Sequence, residues 1–386
     1  MEYRTLGKTG VKVSPLGFGI MRLPLKNGGR ADNDTTLEDM DLEQSIAMVR
    51  EAIDNGVNYL DTAYNYLNGK SEEITRMILE DGYREKVHLA SKSPSWLWRD
   101  PGDFDRILSE QLERLQTDCI EFYLLHCLNG GTWKRAQRLG ILDSLMQARA
   151  DGRVKYIGFS FHDDYELFGE ILDAAPWDFV QIQLNYLDTE FQAGLAGMRE
   201  AAKRGMGVIV MEPLRGGSLV EVPRAAQAVF DAAPTKRSNV AWGLDYLWNM
   251  PEVSVVLSGM SSMAQMRENV ALANAAYPGM LDESDLATIA QAKKAFDDCA
   301  AIPCTGCNYC VEYCPNHIVI PNNFTAYNLR FIYDDLQMAK DYYATQVTNF
   351  GRRAEFCVSC GLCEEHCPQH IKISEWLPKV HELLGE

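Results

Sequence analysis

No stretch of this chain approaches the ~18 uninterrupted apolar residues that a membrane-spanning helix requires, although its 386 residues are 46% hydrophobic. Positive charge is also scarce. Lys and Arg number 37 against 54 Asp and Glu, a formal net charge of −17. Such a surface repels phosphate backbones and anionic headgroups, so neither nucleic acid nor a membrane is expected as a partner. Behind Met1-Glu2-Tyr3-Arg4 there is no apolar segment of the secretory kind, which predicts a cytoplasmic setting. The charged share, 24%, is that of an ordinary globular protein.

Cysteine is what the chain has in excess. Eight of its 11 cysteines form two runs, Cys304-x2-Cys307-x2-Cys310-x3-Cys314-Pro315 and Cys357-x2-Cys360-x2-Cys363-x3-Cys367-Pro368. This is the ligation spacing of 4Fe–4S clusters in two-cluster proteins, where the fourth Cys of each run serves the other cluster. Two intervening residues let successive thiolates curl around one cube; three more and a proline carry the chain away. One cluster is therefore assigned Cys304, Cys307, Cys310 and Cys367, the other Cys357, Cys360, Cys363 and Cys314. A zinc site would show two CxxC pairs instead. Only Cys119, Cys127 and Cys299 are left over, too few for a disulfide scaffold and in keeping with a reducing compartment.

Residues 1–280 alternate strand-like runs with amphipathic stretches. The runs are Leu16–Gly19, Val57–Asp61, Val87–Lys92, Ile120–His126, Tyr156–Ser160, Phe179–Asn185, Gly207–Glu212 and Val253–Leu257. Between the first two, Leu42, Ile46, Val49 and Ile53 share a helical face, with Asp41 placed to cap it and Gly56 to end it. Repeated strand–helix units of this number predict an α/β fold, a closed (β/α)8 TIM barrel. Tyr3–Leu6 and Val11–Ser14, turning at Gly7–Gly10, predict a hairpin outside it. The expected division is a barrel over 1–280, a linking helix over 281–298, and a mainly α-helical ferredoxin-like domain over 299–386.

In such a barrel chemistry belongs at the C-terminal strand ends. Those ends read Asp61, Lys92, His126 and Ser160, with Tyr66 in the loop after Asp61. A phenol with a reference pKa of about 10 needs a nearby ammonium to work near neutrality. Lys92 would supply it, Asp61 would hold Lys92, and His126 would orient a carbonyl.

At these residues the chain resembles the aldo/keto reductase superfamily, in its iron–sulphur branch. The matching segments are Arg4–Gly10, Pro15–Gly19, Asn58–Tyr64, Ser91-Lys92, Leu124–His126, Tyr156–Ser160, Val180–Asn185, Pro213–Gly217 and Glu268-Asn269. The resemblance implies a catalytic tetrad of Asp61, Tyr66, Lys92 and His126, with Tyr66 as proton donor. It also implies an NAD(P)H lying across the strand ends. Its contacts would come from Gly19, Ile20, Met21, Asp61, Ser160, Gln181, Met211, Pro213, Leu214, Gly216, Ser258, Gly259, Met260, Gln265, Glu268 and Asn269. The chain departs from the family in three places. Phe161 and His162 stand where an Asn often follows the Ser, Met211 replaces an aromatic ring, and Gly259 and Gln265 stand where cations often meet a 2′-phosphate, with Arg267 nearby.

The segment between the cysteine runs carries two helical patterns, Asn323–Tyr333 and Asp335–Thr345, and Ser374–Leu384 predicts a closing helix. Because hydride carries two electrons and a cluster one, direct traffic between them calls for a flavin. The Arg215–Gly217 and Ser258-Gly259 loops are its candidate seats. Over the barrel mouth, Tyr64, Pro94, Trp96, Trp98, Leu128, Asn129 and Trp133 suggest an aromatic rim for a carbonyl or an aromatic/apolar substrate. The insert Asn27–Asp41 is expected as a flap or solvated loop. The sequence thus favours an NAD(P)-dependent carbonyl/alcohol oxidoreductase. Its alternatives are an electron-transfer reductase in which the ferredoxin-like clusters feed a flavin or substrate bound in the barrel, and a non-catalytic redox-sensing subunit; a ferredoxin or flavoprotein is an expected electron-transfer partner.

Overall fold

The structure is a computed structural model that describes residues 1–29, 31, 35–304, 306, 310–367 and 369–385. Of the expected ligands, Cys307 lies outside the described residues. The chain divides into two compact units, residues 1–220 with 238–282, and residues 221–237 with 283–386.

In the first unit a short antiparallel pair, β1 (Arg4–Thr5) and β2 (Lys12–Val13), precedes the main sheet. The barrel strands are β3 (Leu16–Gly19), β4 (Tyr59–Asp61), β5 (His88–Pro94) and β6 (Ile120–Leu128). They continue with β7 (Val154–Phe161), β8 (Phe179–Gln183), β9 (Gly207–Met211) and β10 (Val253–Ser258). The eight pair in chain order and β10 returns to β3, closing the barrel with every pair parallel.

Each strand is buried on both faces, which is why the runs read as nearly continuous apolar segments. One residue set points inward: Tyr59, Ala90, Phe122, Leu124, Phe179, Ile209, Val255 and Leu257. Their neighbours Leu60, Leu89, Tyr123, Leu125, Val180, Val208 and Val256 pack outward against the helices. Leu6 and Val13 of the hairpin belong to the inward set, so β1 and β2 stopper the end where the strands begin. Close approach is possible because residue 7 is glycine. A Cβ there would sit 2.3 Å from the Gly207 nitrogen, and φ is +47°. Arg4 ties the hairpin to the start of β10, donating to the carbonyls of Trp248 at 2.5 Å and Val253 at 2.6 Å.

Helix Leu42–Asp54 starts where Asp41 accepts from the Gln44 N–H at 3.0 Å. Its fully buried stripe is Ser45, Met48, Val49, Ala52 and Ile53, one position round from the expected face. Leu25, just ahead of the insert, bridges Met40 near its end, so the two ends of that segment lie side by side.

The second unit is helical among its described residues. Arg224–Ala232 packs on Glu283–Cys299, and Arg237 forks onto Asp285 at 2.7 and 2.9 Å. Ile320–Ile332, Leu336–Gln346 and Ile373–Leu384 follow the three predicted helices closely. They bury Ile320, Phe324, Ala339, Tyr343, Leu377 and Val380 together with Cys310, Cys314 and Cys363. Among the described residues no helix is long and apolar enough to cross a membrane.

Candidate functional site

The register of β4, β5 and β6 brings three ionisable residues to one rim. Asp61 is the last residue of β4 and pairs with Ala90; Pro94, two residues past Lys92, pairs with His126. Tyr66 opens a short turn of helix just after β4. Lys92 is 0% exposed and its ammonium has three partners. It donates to Asp61 Oδ1 at 2.6 Å, to the Thr62 carbonyl at 2.8 Å and to Tyr66 Oη at 3.3 Å. The His126 ring meets Tyr66 edge-on, with centroids 5.7 Å apart, and Trp96 at 5.1 Å. The strand bearing His126 is irregular. Register shifts between Leu125 and Leu128, and Cys127 takes a left-handed φ of +56°. A bulge of this kind re-aims side chains at a barrel rim, and the Cys127 N–H closes it on Ser160 Oγ at 2.8 Å.

Burial and charge set the protonation states. Burial disfavours the Lys92 ammonium, but Asp61 and Tyr66 raise it above the ordinary ammonium value. Asp61 is raised by burial, and Lys92, in contact at 2.6 Å, opposes that shift. Burial raises Tyr66 as well, and Lys92 opposes that shift. His126 is pushed well below the usual imidazole range, first by burial and then by Lys92 and His162, so the ring is neutral near pH 7. Its Nδ1 and the second oxygen of Asp61 are buried without a hydrogen-bond partner. The arrangement can hold a phenol ready to give a proton, beside a neutral imidazole with a free ring nitrogen.

Some of the residues expected around a nicotinamide lie at the ends of neighbouring barrel strands. Ser160 faces Gln181 across β7 and β8, Gln183 faces Met211, and Gly19 faces Asp61. Gln181 Oε1 is buried and unpartnered, an open acceptor of the kind a carboxamide would meet. Asn269 fixes Ser258 at 2.9 Å, and the Ile20 N–H is held by the Asp61 carbonyl at 2.9 Å. Pro213 and Leu214 lead into a tight turn, Arg215–Gly217, where Gly216 and Gly217 both take positive φ. Those two glycines therefore serve the turn itself. Met21 and Gly259 stay partly or fully exposed, whereas Met260 is 1% exposed and packs in the core. Gln265 Oε1 is taken by the Ser261 N–H at 2.8 Å. Glu268 turns to Ser238 at 2.9 Å, and Arg267 is forked onto Glu51 at 2.6 and 3.0 Å.

The aromatic rim is smaller than expected. Trp98 and Trp133 are 0% and 1% exposed, anchored by Ser93 and Glu170, and Leu128 is core. Tyr64 is held by Glu110 at 2.7 Å beneath the Arg114 guanidinium. Trp98 and Trp133 brace the barrel, while Trp96 packs against His126.

The cysteines line two cavities in the second unit. One is walled by Cys357, Cys360, Cys363 and Cys314. The other is walled by Cys304, Cys310 and Cys367. Each therefore mixes one run with the last Cys of the other, and Ile320 forms a wall of both. Burial pushes the Cys363 thiol up to about 11, and the neighbouring Cys314, Cys357 and Cys360 add to it. Such thiols become thiolates when a metal replaces the proton. Among the described residues no three His, Cys, Asp or Glu gather into a site for a single ion. The sulfur donors that wall them are of the kind that ligates iron–sulphur clusters.

Sequence reading missed the layer behind the rim: Ser71, Glu72 and Gln111, all 0% exposed. An acid in a helix's first turn and a glutamine within an amphipathic helix both read as surface residues, so no local signal marks them.

A closed parallel barrel with its ionisable cluster at the C-terminal strand ends places the first unit in the (β/α)8 class. Within that class the chain belongs to the aldo/keto reductase family, which it matches over residues 15–294. Residues 303–371 match a 4Fe-4S dicluster domain. L-galactose dehydrogenase of Arabidopsis thaliana is 28% identical over 291 residues, covering 70% of this chain and 88% of the relative. An uncharacterized oxidoreductase of Bacillus subtilis is 32% identical over 241 residues, covering 57% and 68%. An aldo-keto reductase from Bacillus halodurans, in its holo form, superposes with TM-score 0.63 at 25% identity, over 76% of this chain and 97% of that one. One from Klebsiella pneumoniae, in complex with NADPH, shares the fold at TM-score 0.60 and 20% identity, over 75% and 94%.

Proposed function

We propose that the first unit is an NAD(P)H-dependent oxidoreductase that interconverts small-molecule carbonyls and alcohols, with Tyr66 as proton donor. The observation that carries this reading is the single ammonium of Lys92 set between Asp61 and the Tyr66 hydroxyl, at 2.6 and 3.3 Å. The nicotinamide supplies hydride; the rim residues handle the proton. Lys92, kept charged by Asp61, stabilises the phenolate left when Tyr66 gives its proton to the substrate oxygen. The neutral His126 and its free ring nitrogen orient that oxygen, and Trp96 packs against the imidazole at a tilt. Ser160, Gln181, Ser258 and Asn269 are assigned to the nicotinamide side of the rim.

The second unit is read as the seat of two 4Fe–4S clusters, each held by three thiolates of one run and the fourth of the other. A cytoplasmic site suits thiolates that must stay reduced until iron arrives. Tyr66→Phe tests the proton-donor role. Because general acid catalysis contributes about 10²–10⁴-fold, carbonyl-dependent NAD(P)H consumption should fall by that order while NAD(P)H binding, read by fluorescence, persists. Full turnover by the variant would refute it.

A further inference from the structure

Behind the rim lies a polar cluster that the proposed chemistry does not use. Helix Ser71–Leu79 begins with Ser71 and Glu72, both 0% exposed. The helix dipole favours an acid in a first turn, which would account for Glu72 on an exposed helix start. Here the carboxylate is enclosed and fully engaged. Its Oε1 accepts from Ser91 Oγ and Gln111 Nε2, each at 2.6 Å, and its Oε2 from Arg114 at 3.3 Å. Gln111, from helix Asp103–Leu115, also donates to the Lys92 carbonyl at 3.1 Å and accepts from Tyr123 Oη at 2.6 Å. Ser71 Oγ lies 2.5 Å from Thr62 Oγ1, and it is the Thr62 carbonyl that receives the Lys92 ammonium at 2.8 Å. Both ends of Lys92 thus return to one helix start. The main chain is held through Gln111 and Glu72, the ammonium through Thr62 and Ser71.

We infer that Ser71 and Glu72 are positioning residues that fix the Lys92 ammonium at its distance from the Tyr66 hydroxyl. The inference rests on the proton-donor reading of Tyr66. Its physical basis is that charge–phenol attraction weakens with separation, while a buried carboxylate persists only when its oxygens are satisfied. Glu72 meets that condition with donors that are themselves fastened to β5 and to the Asp103–Leu115 helix. The groups facing Tyr66 are Lys92, Asp61, Cys127 and the His126 ring. Those facing Glu72 are Arg114, Ser91, Gln111 and Tyr123.

The test is the pH profile of carbonyl reduction in the full chain, together with ultraviolet titration of the Tyr66 phenol by difference from Tyr66→Phe. Ser71→Ala and Glu72→Gln are compared with the unaltered protein. Loosening Lys92 lets the Tyr66 pKa rise, so the alkaline limb and the phenol titration should both move up, by about one pH unit for a tenfold weaker hold. Glu72→Asp should bring the limb part of the way back, and KM for the nicotinamide should not change. Ser71→Ala adds no buried charge imbalance, so it carries the test if Glu72→Gln does not fold. A limb and titration that coincide with the unaltered protein, while thermal stability falls, would show a merely structural role and overturn the inference. Full turnover by Tyr66→Phe would overturn the underlying reading along with it.

Discussion

An ammonium with no exposed surface survives only if its protons find acceptors, and Lys92 has Asp61, the Thr62 carbonyl and Tyr66. Removing it leaves Asp61 as a buried, unpaired carboxylate. Lys92→Met should therefore cost about 3–5 kcal/mol in denaturant unfolding followed anaerobically, as well as turnover. A loss under about 1 kcal/mol would mean that water reaches the pair. His126 makes a second prediction at this scale. Its folded pKa lies well below the ordinary value of about 6.5. Between the two, the unfolded chain binds the extra proton and the folded one does not. The contribution is present above the unfolded pKa and is lost as pH falls from there toward the folded value. Thermal midpoints of the unaltered protein should thus drop between about pH 7 and 5 more steeply than those of His126→Asn. Parallel curves would contradict the assignment to His126.

The strands and helices that carry these residues differ in how openly they were written in the chain. Asp61, Lys92, His126 and Ser160 were readable because each stands near the end of an apolar run, where periodicity changes. Tyr66 was placed by its distance from Asp61 and by family resemblance. Cys127 was not readable. A left-handed residue at a bulge arises from how β6 meets β7, and no neighbour in sequence announces it. Trp98 and Trp133 misled for a related reason. A tryptophan looks alike in sequence whether a later element covers it or not, and here Glu170, 37 residues beyond Trp133, accepts from its indole N–H at 2.7 Å. The hairpin supplies the element-scale prediction. With the position of a Cβ 2.3 Å from the Gly207 nitrogen and φ at +47°, Gly7→Ala must push β1 and β2 off the barrel end. The expected cost is about 1–3 kcal/mol, seen as faster amide exchange in the hairpin and β9. Unchanged exchange would show that the stopper is not tightly seated.

The two units differ in kind: a parallel barrel with an ionisable cluster at its strand ends, and a helical unit that carries two cysteine runs. Spacing predicts the cross-run assignment, because the fourth Cys of each run is carried away from its own three. Among the described cysteines of the two runs, the cavities group the side chains in the same way. Cys314→Ser and Cys360→Ser should therefore damage the same cluster. Each single variant should lose about half of the bound iron, and the double variant should lose no more. An additive loss would assign Cys314 to the other cavity.

Whether the barrel works as a two-electron reductase is tested most directly by an anaerobic absorbance titration of the reconstituted protein with NADPH and then NADH, before and after a carbonyl substrate is added. A two-electron reductase leaves the broad absorption of the clusters unchanged when reduced nicotinamide is added alone. Nicotinamide is then consumed only with carbonyl present, and hardly at all in Tyr66→Phe. Bleaching of the clusters by nicotinamide without any carbonyl would contradict this reading, since electrons would then be passing one at a time between the barrel and the iron.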